Sequence, residues 1–216
     1  MKKWLAGLFL VAFLAGGAWG AEVTYHKEVE GPKTLVTPVV KGESGATDAA
    51  VNSALKALIE QEVVDLADET EPHELIVEGR AELLGKALLS FSFEGMVYFM
   101  GAAHPSSSKR GATFDAGTGD MLSLEDLFLP DTNWKDSLNE CLFEAIDRQV
   151  AEEGLSVFND EYPDVSEYHD QFFLRPGEFV FFWTDTQFSP HACGQPEFVV
   201  SRSDLEHLLR KKYAHW

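Results

Sequence analysis

The chain has 216 residues, 17 Lys and Arg against 36 Asp and Glu, a formal net charge of −19, 45% apolar residues and two cysteines. An apolar fraction near one half, with 16 Phe and five Trp, excludes a disordered acidic tail. Two cysteines exclude a zinc ribbon or a disulfide-dense mini-protein, and the acidity excludes a nucleic-acid face, which needs clustered Lys and Arg.

Met1-Lys2-Lys3 is a short basic start, residues 4–17 are uncharged and mostly apolar, and Ala18-Trp19-Gly20 offers small residues at the two cleavage positions. This is the pattern of a secretory signal peptide (1–20) cut before Ala21. Its apolar core is shorter than the ~20 residues of a membrane span. Cleavage would leave 196 residues with 15 basic and 36 acidic side chains, a net charge of −21. The expected location is periplasmic or secreted, with no membrane span after cleavage, because the later apolar runs near 96–103 and 179–183 are short.

The mature chain then reads as follows. Residues 21–31 are polar and expected to fray. Residues 33–40 form a strand, with Pro38 suggesting an edge, and 41–46 a loop. Thr47 or Asp48 caps a helix to about 68, on which Val51, Leu55, Leu58, Ile59 and Val63 keep helical spacing. From 74 to 99 the spacing falls near two, giving two or three strands with a turn at Gly85-Lys86 and a break near Glu94-Gly95. Residues 101–111 read as a polar loop, 112–115 as a strand, and Ala116-Gly117-Thr118-Gly119 as a hairpin turn. Ser123-Leu124-Glu125-Asp126 reads as a capped turn.

Residues 133–153 form the clearest helix, with Trp134, Leu138, Cys141, Leu142, Ala145 and Ile146 on one face and Gly154 as its stop. An acidic loop follows at 159–170. A hairpin, 172–174 and 178–184, turns at Arg175-Pro176-Gly177. Its second strand, with Phe179, Phe181 and Trp183 alternating with Val180 and Phe182, is apolar on both faces and reads as a covered central strand or, alternatively, an aromatic ligand groove. A last strand covers 197–201, and Ser203-Asp204-Leu205-Glu206 caps a terminal helix to about 213. Strands and helices do not alternate, so the fold class is α+β, an antiparallel sheet with helices packed on it, in one compact unit over 21–216.

Candidate chemistry centres on His104, which ends the run Gly101-Ala102-Ala103-His104-Pro105. Read functionally, it is a metal ligand or general base working with Asp115 and His191. Read structurally, its ring bonds loop backbone and fixes the turn, and no known ligand spacing surrounds it. Ser106-Ser107-Ser108-Lys109 matches S-x-x-K only formally, since that motif needs Ser to open a helix. Asp115, Thr118 and Asp120 around two glycines fit a hairpin turn better than a calcium loop. Cys141 and Cys193, in an exported chain, are either a disulfide worth about 4 kcal/mol in the chain-entropy model or two buried free thiols.

Gly101-Ala102-Ala103-His104, then Phe114-Asp115 with Thr118-Gly119, then Leu124-Glu125-Asp126-Leu127-Phe128 resembles the signature of the RsiV-like extracytoplasmic domain, a domain of unknown function. The loop Ser189-Pro190-His191-Ala192-Cys193-Gly194 resembles that family's loop ending in Ala-x-Gly. Upstream, Pro38-Val39-Val40 before Val51-Asn52 resembles the domain N-terminal to the catalytic part of the deacetylase PdaC. The likeness covers about 25–210 and divides the chain into a PdaC-type part (21–105) and an RsiV-like part (106–216). Pro105 stands where the RsiV-like signature usually has Gly.

The resemblance implies an α+β fold and an envelope location, with Gly101, Ala103, His104, Asp115 and His191 as the candidate functional loop. In RsiV such a domain recognises lysozyme. The reading that follows is a non-enzymatic binding module of the bacterial envelope, whose partner is a basic protein such as lysozyme or peptidoglycan fragments, with no cofactor and no nucleic acid. The alternative is a metal-dependent or hydrolytic enzyme centred on His104.

Overall fold

In the computed structural model, which describes residues 21–67, 72–158, 162, 164, 171–183 and 188–216, two sheets share one α+β unit. Strands β1 (Glu22–Glu30), β2 (Lys33–Lys41), β3 (Glu74–Leu84), β4 (Leu88–Tyr98), β5 (Ser106–Asp115) and β6 (Met121–Leu122) form a six-stranded sheet in sequence order. Every pairing is antiparallel except β2 with β3, which is parallel. That exception follows from helix α1 (Gly45–Ala67), because a crossover helix returns the chain to run the same way. Strands β7 (Phe172–Arg175), β8 (Glu178–Phe182) and β9 (Glu197–Ser201) make a second, antiparallel sheet.

Residue alternation separates the two faces of the large sheet. One face carries Leu75, Val77, Phe91, Phe93, Val97 and Phe114, packed against Val51, Leu55 and Ile59 of α1. The other face is polar, with Glu78, Glu94 and Lys109 in one cross-strand row and Arg80, Ser92 and Gly111 in the next. The second sheet covers this polar face. Its outer side, with Phe172, Leu174, Phe179, Phe181, Phe198 and Val200, packs in one cluster with Trp134, Leu138, Leu142 and Ile146 of α2 (Trp134–Arg148). Strand β8 is thus the covered central strand that its sequence indicates.

Several expectations are corrected. Residues 22–30 do not fray but pair with β2 along their whole length. Pro38 is not on an edge strand; it lies past Val36, the last β2 residue paired with β3, so its missing N–H breaks no ladder there. Helix α1 starts at Gly45, and Asp48 accepts from the upstream Gly42 N–H at 2.9 Å instead of capping. No break interrupts β4 at Gly95: glycine stands there because a Cβ would collide with Leu66 and Ser108. Strand β5 begins at Ser106, not 112.

At the C-terminus, the continuous helix expected over 203–213 is three short pieces. Helix α3 (Arg202–Leu205) is followed by single turns at Glu206–Leu208 and Lys211–Tyr213. Leu209 is extended between them and bridges Phe128. Helix α2 ends in a π turn (Gln149–Glu153) that Gly154 closes at φ 71°. The expected signal segment lies outside the described residues, as does the acidic loop apart from Tyr162 and Asp164. Among the described residues no helix is long and apolar enough to cross a membrane.

Candidate functional site

Loop residues 101–105, between β4 and β5, are exposed. Gly101 takes φ 90°, a value that suits glycine, and Ala102 N–H closes the turn on Phe99 O at 3.0 Å. His104 Nδ1 donates to the Pro105 carbonyl at 3.1 Å. Its ring stacks on His191, with centroids 4.2 Å apart and planes 29° from parallel. His191 arrives from the turn His191–Cys193 that precedes β9. The structure therefore brings two of the sequence's three candidate residues together, on two loops at one end of the sheets.

Asp115 is not with them. It ends the ten-residue strand that Ser106 begins, about 30 Å along the backbone at a strand's rise per residue. The carboxylate is buried, and its Oδ1 accepts from the Gly117 and Thr118 amides at 2.8 and 3.1 Å. Its Oδ2 accepts from Tyr213 OH at 2.5 Å and from Lys212. Burial pushes this carboxyl up, but the bonds from Lys212, Tyr213 and the two amides outweigh burial and hold it below its ordinary value. Asp115 thus ties the β5–β6 turn to the C-terminal segment.

Asp115→Asn removes the charge from these bonds and is expected to cost about 2 kcal/mol, read from the urea midpoint. Amide exchange over 210–216 should accelerate. Unchanged exchange there would mean that Trp216 Nε1 on Arg175 O, at 2.9 Å, holds the segment without help from Asp115.

Cys141, half-buried on α2, and Cys193, whose thiol lies 3.9 Å from Ser156 O, are both free thiols. The weighed bridge is not formed in this structure. Burial, followed by the charges of Asp204, Glu144 and Glu140, pushes the Cys141 thiol up, which favours the unreactive protonated form. Among the described residues no group of three or more His, Cys, Asp and Glu is placed to hold a metal ion.

A groove of about 270 Å³ opens at the same end of the molecule as the histidine pair. Its lining includes Ile76, Glu78, Glu94, Met96, Ser107 and Gln195. The register explains the set: Ile76 faces Met96, Met96 faces Ser107, and Glu78 faces Glu94. Ser107 lies three residues after His104, and Gln195 four after His191, so the stacked loops lead directly into the groove.

Below the groove the two sheets are joined by ions. Glu197 of β9 meets Lys109 Nζ at 2.5 Å and Arg175 Nη1 at 2.7 Å. Arg175 Nε reaches Glu82 at 3.0 Å, and Ser92 Oγ donates to the same carboxylate at 2.7 Å. Glu82 can do this because it is the extra residue where the β3–β4 register shifts between Ala81 and Leu83. Lys109 also stands 5.7 and 5.6 Å from the ring centres of Phe173 and Phe182. Burial raises the Glu197 carboxyl, but the hydrogen bonds from Lys109 and Arg175 leave it below the usual carboxylate value.

Sequence reasoning missed this groove. Alternating Glu78, Arg80 and Ser90, Ser92, Glu94 is a legible polar face, but nothing local marks it as covered, and Gln195 carries no signal of its own.

Residues 125–203 match the family model described as "Protein of unknown function (DUF3298)". No curated protein matches the sequence. A solved structure of a DUF3298 family protein from Pseudomonas aeruginosa PAO1 is similar at 13% identity and a TM-score of 0.64, covering 91% of this chain and 97% of that one. A member of the same family from Bacteroides fragilis NCTC 9343 is similar at 15% identity and a TM-score of 0.59, covering 91% and 95%. These two likenesses show the fold. The family match lies within residues 106–216.

Proposed function

We propose that this chain is an exported, non-catalytic binding module of the bacterial cell envelope, recognising a basic protein such as lysozyme, with cell-wall glycan as the competing ligand. The observation that carries the reading is the groove edged by the Glu78 and Glu94 carboxylates at the end where two loops meet. A strongly acidic chain steers a basic partner toward such a site and raises its on-rate. The RsiV-like motifs and the secretory pattern at 1–20 support the envelope setting. An enzyme centred on His104 is favoured by the His104–His191 stack alone, and its third member, Asp115, is committed to Lys212 and Tyr213.

The test is a calorimetric titration with a basic lysozyme at low and at physiological salt, followed by peptidoglycan fragments. Saturable binding at defined stoichiometry that survives about 0.15 M salt, where screening reaches within ~8 Å, is the expected result. Heat that vanishes with modest salt would reduce the interaction to nonspecific charge attraction. Loss of a hydrolytic or metal-dependent activity in a folded His104→Ala variant would instead establish the enzyme.

A further inference from the structure

We infer that the groove receives one lysine or arginine side chain of a basic protein partner. The inference rests on the binding-module reading and names the chemistry of its site. Four carboxylates, Glu78, Glu82, Glu94 and Glu197, meet three cations, Arg80, Lys109 and Arg175, across the polar layer. The contacts of Glu197 and Glu82, at 2.5–3.0 Å, have the length of charge-assisted hydrogen bonds. At the groove the contacts are looser: Glu78 to Arg80 is 3.3 Å, Glu94 to Lys109 3.5 Å and Glu94 to Arg80 3.6 Å. The Glu78 and Glu94 side chains are each 41% exposed. The uncompensated negative charge therefore sits where a ligand can reach it.

The remaining lining fits the rest of such a side chain. Ile76 and Met96 offer apolar wall to an aliphatic stem, as long basic side chains require. Gln195 adds a side-chain amide to the lining, a group that can hydrogen-bond a partner's main chain. A volume of about 270 Å³ is below the range of small-molecule pockets and suits a single side chain. Met100, 82% exposed on the β4–β5 loop, offers the partner an apolar contact at the same end of the molecule. A neutral glycan would supply no fourth cation.

The probes are the blocked tripeptides acetyl-Ala-Lys-Ala-amide, its arginine analogue and its norleucine analogue, followed by amide chemical shifts of the isotope-labelled protein. Lysyl and arginyl peptides should shift Ile76, Met96, Ser107 and Gln195 saturably, and norleucine should bind at least tenfold more weakly. Glu94→Gln, with Glu78→Gln as a second variant if Glu94→Gln melts early, should weaken the lysyl peptide about tenfold. Equal binding of norleucine, shifts confined to other residues, or displacement of the lysyl peptide by a neutral glycan fragment would overturn the proposal.

Lysozyme separates the two readings. If it binds the native protein and both variants equally, the groove assignment fails and the binding module stands. If lysozyme gives no heat while the lysyl peptide fills the groove, the lysozyme assignment fails and the side-chain receptor stands.

Discussion

Glu197→Ala is expected to lower stability by about 2–3 kcal/mol, the cost of leaving the buried Lys109 ammonium without its short hydrogen bond in a half-buried ion network. Glu197 accepts from both Lys109 and Arg175. Its removal leaves Lys109, 5% exposed, with only Glu94 at 3.5 Å, too far to replace the lost bond. Against the 5–15 kcal/mol that holds a typical domain folded, this is a large fraction, and the urea midpoint should fall with little change in slope. Lys109→Met combined with Glu197→Leu should recover most of the loss, because removing both charges costs far less than removing one. A double variant as unstable as Glu197→Ala would show that shape, not charge, joins the sheets at this point.

The same pair gives a pH test whose sign is fixed. The Glu197 carboxyl lies below its ordinary value when folded. Its contribution is therefore fully present above the unfolded value, about 4.3, and is lost as pH falls through the folded one. Native protein and Glu197→Ala should differ most near neutrality and converge in acid below about pH 4. A difference independent of pH would remove the ionised carboxylate from the explanation. Asp115, lowered for the same kind of reason, acts in the same direction, so the native fold as a whole should weaken over this range.

What could be seen in the sequence was local. Helices α1 and α2, the β7–β8 hairpin, the turn at 116–119 and the Ser123–Asp126 cap, where Asp126 Oδ2 accepts from Ser123 N and Oγ at 2.8 and 2.7 Å, each carry their signal within a few residues. The misses need a distant partner. Glu22–Glu30 is the exception: its partner β2 is the next strand, across Gly31-Pro32, and its polar composition alone hid it. Ser106–Arg110 looked like a loop because its side chains answer charges elsewhere: Lys109 meets Glu197, and Arg110 meets Glu62 and Asp65 of α1 at 3.2 and 3.0 Å.

The terminal helix failed similarly, since Leu209 extends to bridge Phe128. At the site, His104 and His191 were conspicuous as rare side chains in Gly- and Pro-bounded loops. Glu78, Glu94 and Gln195 are ordinary polar residues one by one. Only the strand register and a second sheet make them a groove.

Gly111→Ala is the other large effect, expected to cost about 3 kcal/mol, the upper end of ordinary overpacking. A Cβ at this position would fall well inside 3.0 Å of the Phe172 carbonyl oxygen. The obstruction is backbone, so no side chain can turn away to admit it; β7 must lift from β5. That movement pulls Leu174 N–H from Ser90 Oγ, now 2.9 Å apart, and shifts Arg175 against Glu82. Strand β9 is carried by the same sheet, so Glu197 and the approach of Gln195 to the groove move with it. Binding of the lysyl peptide should therefore weaken together with stability, although Gly111 lies a full row away from the groove. Gly45→Ala is the matched control: it stands in α1 with nothing within 4 Å of its added methyl, and alanine favours helix there. The decisive comparison is the two urea midpoints beside the two peptide affinities. A Gly111→Ala protein within about 0.5 kcal/mol of the native one would mean that the sheets can separate freely at β7, and the groove would then owe its shape to the loops alone.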